Sequence, residues 1–209
     1  MSGVPTPRRR AARSRGDVRE AALLKAAEQL LFDGKFWDAS IADIVRDAGI
    51  SRQTFYFYYA SKEALLERLI QTRLADLSER HFTQTRQPHE SAAEEIRDTM
   101  HSAADMWVEH GVVLSVASEL AGSVPSVFDL ISSLVEGAVE QRAQLLFDAG
   151  SAPEVADPES AKKLTTDLLW MTERCFYVVW RKTHSAEELH AAADRMYAIW
   201  VRTAGLDTA

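Results

Sequence analysis

Apolar residues recur every three to four positions along most of the chain, which is the spacing of one face of an α-helix. With their Ser, Gly and Pro boundaries they predict helices over about residues 17–32, 41–48, 52–59, 62–85, 91–110, 112–121, 125–149, 159–182 and 186–204. The break within 91–121 rests on Gly111 and Gly122, because glycine is typical of helix ends. No alternating strand pattern competes with this interpretation. We therefore expect an all-α fold of about nine helices.

The same boundaries divide the chain into three parts. Residues 1–16 combine Pro, Gly and Ser with five arginines and almost nothing to bury, so we expect a flexible basic arm there. Residues 17–77 are predicted to form a helical head, and residues 78–209 a helical body. The fourth predicted helix, about 36 Å long, is long enough to link them. The arm residues expected to contact phosphates or enter a minor groove are Arg8, Arg9, Arg10, Arg13 and Arg15.

Residues 40–59 have the layout of a helix-turn-helix. Ser40 and Asp43 form a capping-box pattern ahead of a short apolar helix. Gly49 can take the left-handed conformation that ends this helix, and Ser51 can cap the next one. The second helix of such a motif presents its first turn to the major groove of DNA. We therefore predict that this segment reads a double-stranded DNA operator.

Two kinds of side chain surround this second helix. Arg52 can present its guanidinium fork to guanine and Gln53 can bridge adenine, so both are predicted to contact bases. Hydroxyl, phenol and ammonium groups nearby suit phosphate oxygens. The residues predicted to contact phosphate are Ser40, Ser51, Thr54, Tyr56, Tyr58 and Lys62. Phe55 and Tyr59 are assigned to the core, and Phe57, which has no hydroxyl, is left out of the predicted site.

The formal net charge of −7 hides an uneven distribution. Residues 1–70 contain 12 Lys and Arg against 9 Asp and Glu, whereas the remaining residues contain 12 against 22. The first part is therefore positive and the rest strongly negative. This division concentrates attraction to phosphate at one end of the chain.

Composition also indicates the cellular compartment in which the protein is expected. A hydrophobic content of 46% with 26% charged residues argues for a folded globular protein. The chain lacks an apolar run of the roughly 20 residues that a membrane span needs. Its one cysteine, Cys175, cannot form an internal disulfide, which agrees with a reducing environment. We expect a soluble cytoplasmic protein with no membrane partner.

The segment GISRQTFYFYYASKEALL, residues 49–66, resembles the signature of the TetR (tetracycline-repressor) family. LLWMTERCFY, residues 168–177, and YAIWVRTAG, residues 197–205, are similar to the EthR-type branch of that family. The resemblance thus extends over about residues 17–205. It implies a DNA-binding regulator with a helical effector-binding body, and it assigns Tyr56 to phosphate contact.

Apolar residues cover more than one face of the helix predicted over residues 159–182. Leu168 and Cys175 lie on one face, whereas Leu169 and Trp180 lie on another. One face can pack into the body and the other against a partner, and the resemblance implies a homodimer through the last two helices. Two identical heads one DNA turn apart, about 34 to 36 Å, would match a palindromic operator.

Aromatic residues and methionines are frequent in the predicted body. They could line a cavity for a mostly apolar small-molecule effector, although core packing explains any single one equally well. Glu173 is a carboxylate on an aromatic helix face and would need a polar partner, which favours a pocket. The predicted ligand-binding residues are Met106, Trp107, His110, Phe128, Trp170, Thr172, Glu173, Phe176, Tyr177 and Trp200.

The resemblance supplies roles for six of these residues. It implies that Thr172 and Glu173 are polar pocket residues, that Tyr177 and Trp200 form an aromatic wall, and that Met106 and His110 lie opposite. Thr172 stands where the EthR-type relatives have asparagine, and His110 where they have phenylalanine. The same ligand is therefore not implied.

A catalytic role is not favoured by the sequence. Cys175 and Glu173 are two positions apart on a helix and point in different directions, no histidine has a paired metal-ligand spacing, and no glycine-rich phosphate loop is present. We expect no catalytic residues, no metal and no cofactor. We expect a repressor that its effector releases from DNA. The alternative that stays open is a regulator or activator without a small-molecule effector.

Overall fold

The computed structural model describes residues 15–83 and 89–207. Within these ranges the fold is all-helical, which confirms the predicted class. The α-helices are α1 (Arg15–Phe32), α2 (Ile41–Ala48), α3 (Arg52–Tyr58), α4 (Lys62–Thr83), α5 (Ala92–Leu120), α6 (Pro125–Ala149), α7 (Pro158–Thr183) and α8 (Ala186–Ala204), with a 3₁₀ turn, Pro153–Val155, before α7. Taken singly, none of the helices in these ranges has both the length and the apolar character of a membrane span, although the bent pair of α5 and α6 has them jointly.

The chain divides into two compact units, an N-terminal unit (Met1–Leu69) and a C-terminal unit (Ile70–Ala209). The division falls within α4, somewhat before the predicted boundary at residue 77. The predicted basic arm, residues 1–16, lies almost wholly outside the described residues. The roles assigned to the predicted domains stay predictions at this point.

Buried apolar side chains from α1 to α4 form the core of the N-terminal unit. Phe55 and Tyr59 are buried, as predicted, and the other buried residues of this core include Leu23, Ala27, Leu31, Ile44 and Val45. The phenol of Tyr59 donates a hydrogen bond to Oε1 of Glu20 at 3.0 Å. Burial raises the pKa of Tyr59, and the Glu20 carboxylate raises it further. The tyrosine therefore stays neutral inside this small core.

Local capping contacts fix both helices of the predicted helix-turn-helix. The Ser40 hydroxyl accepts the Asp43 N–H, and the Asp43 carboxylate accepts the Ser40 N–H at 2.9 Å, so the capping box is complete. Gly49 ends α2 with φ of 67°, a left-handed conformation that suits glycine. The Ser51 hydroxyl then accepts the Thr54 N–H at 3.1 Å and caps α3. The predicted starts of both helices are confirmed.

Helix pairs build the C-terminal unit: α5 packs against α8, and α6 packs against α7. Large side chains with almost no exposed surface occupy its core, including Ile96, Met100, Phe176 and Trp200. The sequence prediction of a break near Gly111 is wrong, because α5 continues from Ala92 to Leu120. The described residues consequently form eight α-helices where about nine were expected.

Gly111 has a packing role in place of a helix-ending one. A Cβ atom built at this position would overlap the indole ring of Trp180. Only glycine leaves space for this approach of α7 to α5. Gly122 does lie in the turn that follows α5, as predicted.

Candidate nucleic-acid interface and ligand cavity

The short helix α3 turns one side toward the core and another toward solvent. Phe55 is completely buried, and Tyr59, one turn later, is buried as well. Between them, Tyr56 is 56% exposed and Phe57 is 82% exposed. The five consecutive aromatic residues therefore divide between packing and surface according to the helical repeat.

Arg52 and Gln53 lie in the first turn of α3, and both are exposed. Neither side chain forms a polar contact or an ion pair with any part of the chain that the structure describes. The guanidinium and the amide thus remain available for an external partner. This is the arrangement that direct readout of base edges requires.

The hydroxyls predicted to contact phosphate lie at helix starts. Ser40 donates to Oδ2 of Asp43 at 2.6 Å, so its hydroxyl hydrogen is already used. Ser51 and Thr54 share one hydrogen bond of 2.9 Å, which uses only one of their two hydroxyl hydrogens. One hydrogen of that pair remains for an acceptor outside the protein.

Tyr56 and Tyr58 differ in their surroundings. The Tyr56 phenol is at the surface and makes no hydrogen bond with the described residues. Tyr58 is half-buried, and its phenol donates to the backbone carbonyl of Gly16 at 3.1 Å. The geometry favours Tyr56 over Tyr58 as a surface donor.

Lys62 holds the connection between α1 and α2. Its ammonium donates to the carbonyl oxygens of Phe36 at 3.1 Å, Trp37 at 2.8 Å and Ala39 at 3.1 Å. An ammonium has three donors, and these contacts use all three. The geometry therefore does not favour the phosphate contact that the sequence predicted for Lys62.

Two exposed aromatic residues lie outside the predicted site: Phe57 was left out of it, and Trp37 was not considered. Phe57 is the more exposed, and Trp37, between α1 and α2, is 56% exposed. Large apolar side chains at the surface commonly mark a binding surface. For Phe57 the signal was present in the sequence, because it lies outside the i, i+4 pair formed by Phe55 and Tyr59.

The C-terminal unit contains a cavity of about 850 Å³. Side chains from α5, α6 and α7, together with His89 and with Leu74 and Leu77 of α4, form its wall. Most of them are apolar, which is typical of a small-molecule site. Five predicted ligand-binding residues line it: Met106, Trp107, Thr172, Glu173 and Phe176.

Glu173 has the polar partner that the sequence required. Its Oε1 accepts a hydrogen bond from the Ser118 hydroxyl at 2.6 Å. Ser118 lies 55 positions earlier in the chain and also lines the cavity. Sequence reasoning missed Ser118, because nothing near it in the chain signals a carboxylate partner.

Trp200 supports the wall from behind. Its side chain is completely buried, and the indole N–H donates to Oγ1 of Thr172 at 3.0 Å. The Thr172 hydroxyl in turn donates to the Leu168 carbonyl at 2.7 Å. Thr172 is thus at the cavity, whereas the predicted place of Trp200 in the aromatic wall is not reproduced.

The other four predicted ligand residues also lie away from this cavity. Tyr177 packs against Arg174 and its phenol donates to Oε1 of Glu119 at 3.4 Å. His110 lies 3.3 Å from a Glu109 oxygen. Phe128 and Trp170 stack with their ring centroids 6.4 Å apart and line a separate groove. The 100° turn between neighbouring helical residues carries these side chains away from the cavity.

The chain is similar to known bacterial regulators. The family model described as bacterial regulatory proteins, tetR family, matches residues 23–69. The HTH-type transcriptional regulator EthR of Mycolicibacterium smegmatis is 34% identical over 177 residues, which cover 83% of this chain and 80% of that protein. The HTH-type transcriptional regulator EthR of Mycobacterium tuberculosis is 30% identical over 197 residues, which cover 92% and 90%.

Solved structures share the fold. Salmonella enterica GusR superposes with a TM-score of 0.62 at 18% identity, over 92% of this chain and 98% of that one. A transcriptional regulator from Rhodococcus sp. Rha1 superposes with a TM-score of 0.65 at 16% identity, over 94% and 100%.

The chain belongs to the TetR family of bacterial regulatory proteins. It is a DNA-binding transcriptional regulator and not an enzyme. Within the family it is EthR-like.

Proposed function

We propose that this regulator is a cytoplasmic repressor, that it binds a palindromic operator as a homodimer, and that a mostly apolar small molecule releases it. The observation that carries the DNA-reading part is the exposed first turn of α3. Arg52 and Gln53 are held there by a capped helix and make no polar contact with the described residues. Tyr56 and the shared Ser51–Thr54 hydroxyl pair then supply donors to phosphates.

The dimer is proposed to form through α7 and α8. Three large apolar side chains on these helices are exposed in the single chain: Met171, Val178 and Ile199. A second copy would remove them from water, which is favourable at about 25 cal/mol per Å². A twofold dimer presents two α3 helices to half-sites about 34 to 36 Å apart.

Release is proposed to act through the cavity. Leu74 and Leu77 of α4 belong to its wall, so a bound molecule contacts α4 directly. An effector that favours a different position of α4 would change the spacing of the two α3 helices in the dimer. A coupling of about 1–3 kcal/mol, or roughly 5- to 150-fold in operator affinity, is sufficient for regulation.

The DNA-reading proposal is tested with Arg52→Ala. After genomic fragments bound by the protein have been selected, we expect the variant to bind the operator roughly 5- to 150-fold more weakly, and to discriminate less at one base pair. Arg46→Ala is the matched control, because Arg46 is exposed on α2 and pairs with Asp43 and Asp47. Equal losses in the two variants would mean that only charge is measured. Unchanged operator affinity with a ligand crystallographically confirmed in the cavity would refute the release mechanism.

A further inference from the structure

The Glu173 carboxylate has hydrogen-bond acceptor sites that the described residues do not fill. One oxygen accepts from Ser118 at 2.6 Å, and the other lies 3.9 Å from Nε of Arg174. The Arg174 guanidinium packs over the Tyr177 ring, 4.8 Å from its centroid. A carboxylate offers about four acceptor sites, so one short hydrogen bond and one distant cation leave acceptor capacity at the cavity wall.

Arg174 is the cation beside Glu173, and its long 3.9 Å contact offsets the carboxylate charge only in part. The Thr172 hydroxyl already donates to Leu168 and accepts from Trp200. Among the described residues, the ionisable groups that line the cavity are the carboxylates of Glu95, Asp98 and Glu173, the guanidinium of Arg142, and His89, whose Nε2 lies 3.0 Å from Oδ2 of Asp98. Three carboxylates against one guanidinium in a largely apolar wall favour a cationic ligand.

The cavity is also extended along α5. Its lining residues on this helix run from Glu95 to Ser118, which at 1.5 Å per residue corresponds to roughly 35 Å. Met100, Met106 and Leu114 lie between these two ends. The polar groups therefore flank an apolar middle section, and the Ser118–Glu173 pair lies at one end of it.

We infer that the effector is an elongated apolar molecule with a protonated amine at one end, and that Glu173 binds this amine. The apolar part lies along α5, and the amine donates to the Glu173 carboxylate beside Ser118. Charge-assisted hydrogen bonds of this kind are short and stronger than neutral ones. The inference rests on the proposed function only in naming the ligand as the effector.

Three probes with the same twelve-carbon chain test the head group: dodecylamine, dodecanol and dodecanoate. Each is titrated into the full-length protein by calorimetry, below its critical micelle concentration. We expect dodecylamine to bind most tightly and dodecanoate most weakly. Dodecanoate binding as tightly as the amine would overturn the inference and assign selection to Arg142, and equal affinities of the amine and the alcohol would overturn it too.

Glu173→Gln tests the residue. We expect dodecylamine to bind the variant roughly 10-fold more weakly or worse, because the glutamine amide keeps an acceptor oxygen but loses the negative charge that strengthens the bond, with dodecanol affinity within about 2-fold. Glu119→Gln is the matched control. It removes one negative charge from α5 at a carboxylate that pairs with Arg181 and does not line the cavity. An equal loss in both variants would mean unspecific attraction and would overturn the inference.

Direct binding separates this inference from the proposed release of DNA. Dodecylamine that binds through Glu173 without changing operator affinity would leave the ligand class standing and refute the release mechanism. A neutral molecule that occupies the cavity and releases DNA, with no Glu173-dependent binding of the amine, would do the opposite. The comparison of the three probes on the wild-type protein decides the head group even where Glu173→Gln does not fold.

Discussion

The two units expose their aromatic side chains to different extents, although each buries some of them. In the N-terminal unit Trp37, Tyr56 and Phe57 are exposed, although the unit has a compact core of its own. In the C-terminal unit Trp107, Phe176 and Trp200 are buried. The same residue types are thus proposed to form a recognition surface in one unit, and they pack a core beside a cavity in the other. Exposure, and not composition, separates the two roles.

The largest expected effect is on stability, when a buried tryptophan and an exposed tryptophan are each replaced by alanine. Trp200→Ala should lower the free energy of unfolding by about 3–5 kcal/mol, since it creates a cavity. It also removes the hydrogen bond to Thr172. Trp37→Ala, at an exposed position, should change stability by about 0.5 kcal/mol or less. Denaturant unfolding of both variants measures this, and similar losses would break the comparison between the units.

The second largest effect on stability is expected where α5 packs against α7. Gly111→Ala should destabilise the protein by about 1–3 kcal/mol, because the added methyl overlaps the Trp180 ring. Gly122→Ala is the control, since the nearest atom to its Cβ would be the Glu119 carbonyl oxygen at 3.7 Å. Thermal unfolding compares the two. A Gly111→Ala variant more stable than wild type would show that helix propensity outweighs the contact.

Replacing Lys62 distinguishes between a structural role and a DNA-binding role for this residue in the N-terminal unit. Lys62→Ala should reduce stability by about 1–2 kcal/mol, because three backbone carbonyls lose a charged donor. The salt dependence of operator binding should stay unchanged under conditions where the variant is folded. Lys35→Ala, at an exposed lysine, is the control for loss of charge. A salt slope reduced by about 1 would instead support the phosphate contact predicted from the sequence.

The smallest effect concerns the start of α2. Hydrogen bonds from the Ser40 side chain and backbone, followed by that from Arg46, lower the pKa of Asp43 from 3.8 to about 2. A lowered folded-state pKa means that the carboxylate stabilises α2 above about pH 4, and that this contribution is lost as the pH falls toward 2.

Ser40→Ala should raise the Asp43 pKa toward 3.8, as measured by NMR titration of the carboxyl group. Asp157 is an internal control in the other unit, because hydrogen bonds from Ser160 lower its pKa. Its pKa should not respond to the change at Ser40. A response at Asp157, or none at Asp43, would contradict the local origin of the shift.

The sequence by itself determined the elements that depend on neighbouring residues. Ser40 and Ser51 specified where α2 and α3 begin, and Pro125 and Ser185 did the same for α6 and α8. The i, i+4 spacing of Phe55 and Tyr59 likewise placed both residues in the N-terminal core. These features were predictable because caps, turns and helical faces arise within a few positions of the chain.

Only the tertiary structure decided which distant residues meet. It paired Glu173 with Ser118, fitted Gly111 to Trp180, and bound the Lys62 ammonium to carbonyls of the loop between α1 and α2. It also placed Trp200 behind the cavity wall and turned Tyr177 away from it. Helical spacing fixes the face on which a residue lies, but the neighbour of that face depends on packing between helices, which sequence spacing does not encode.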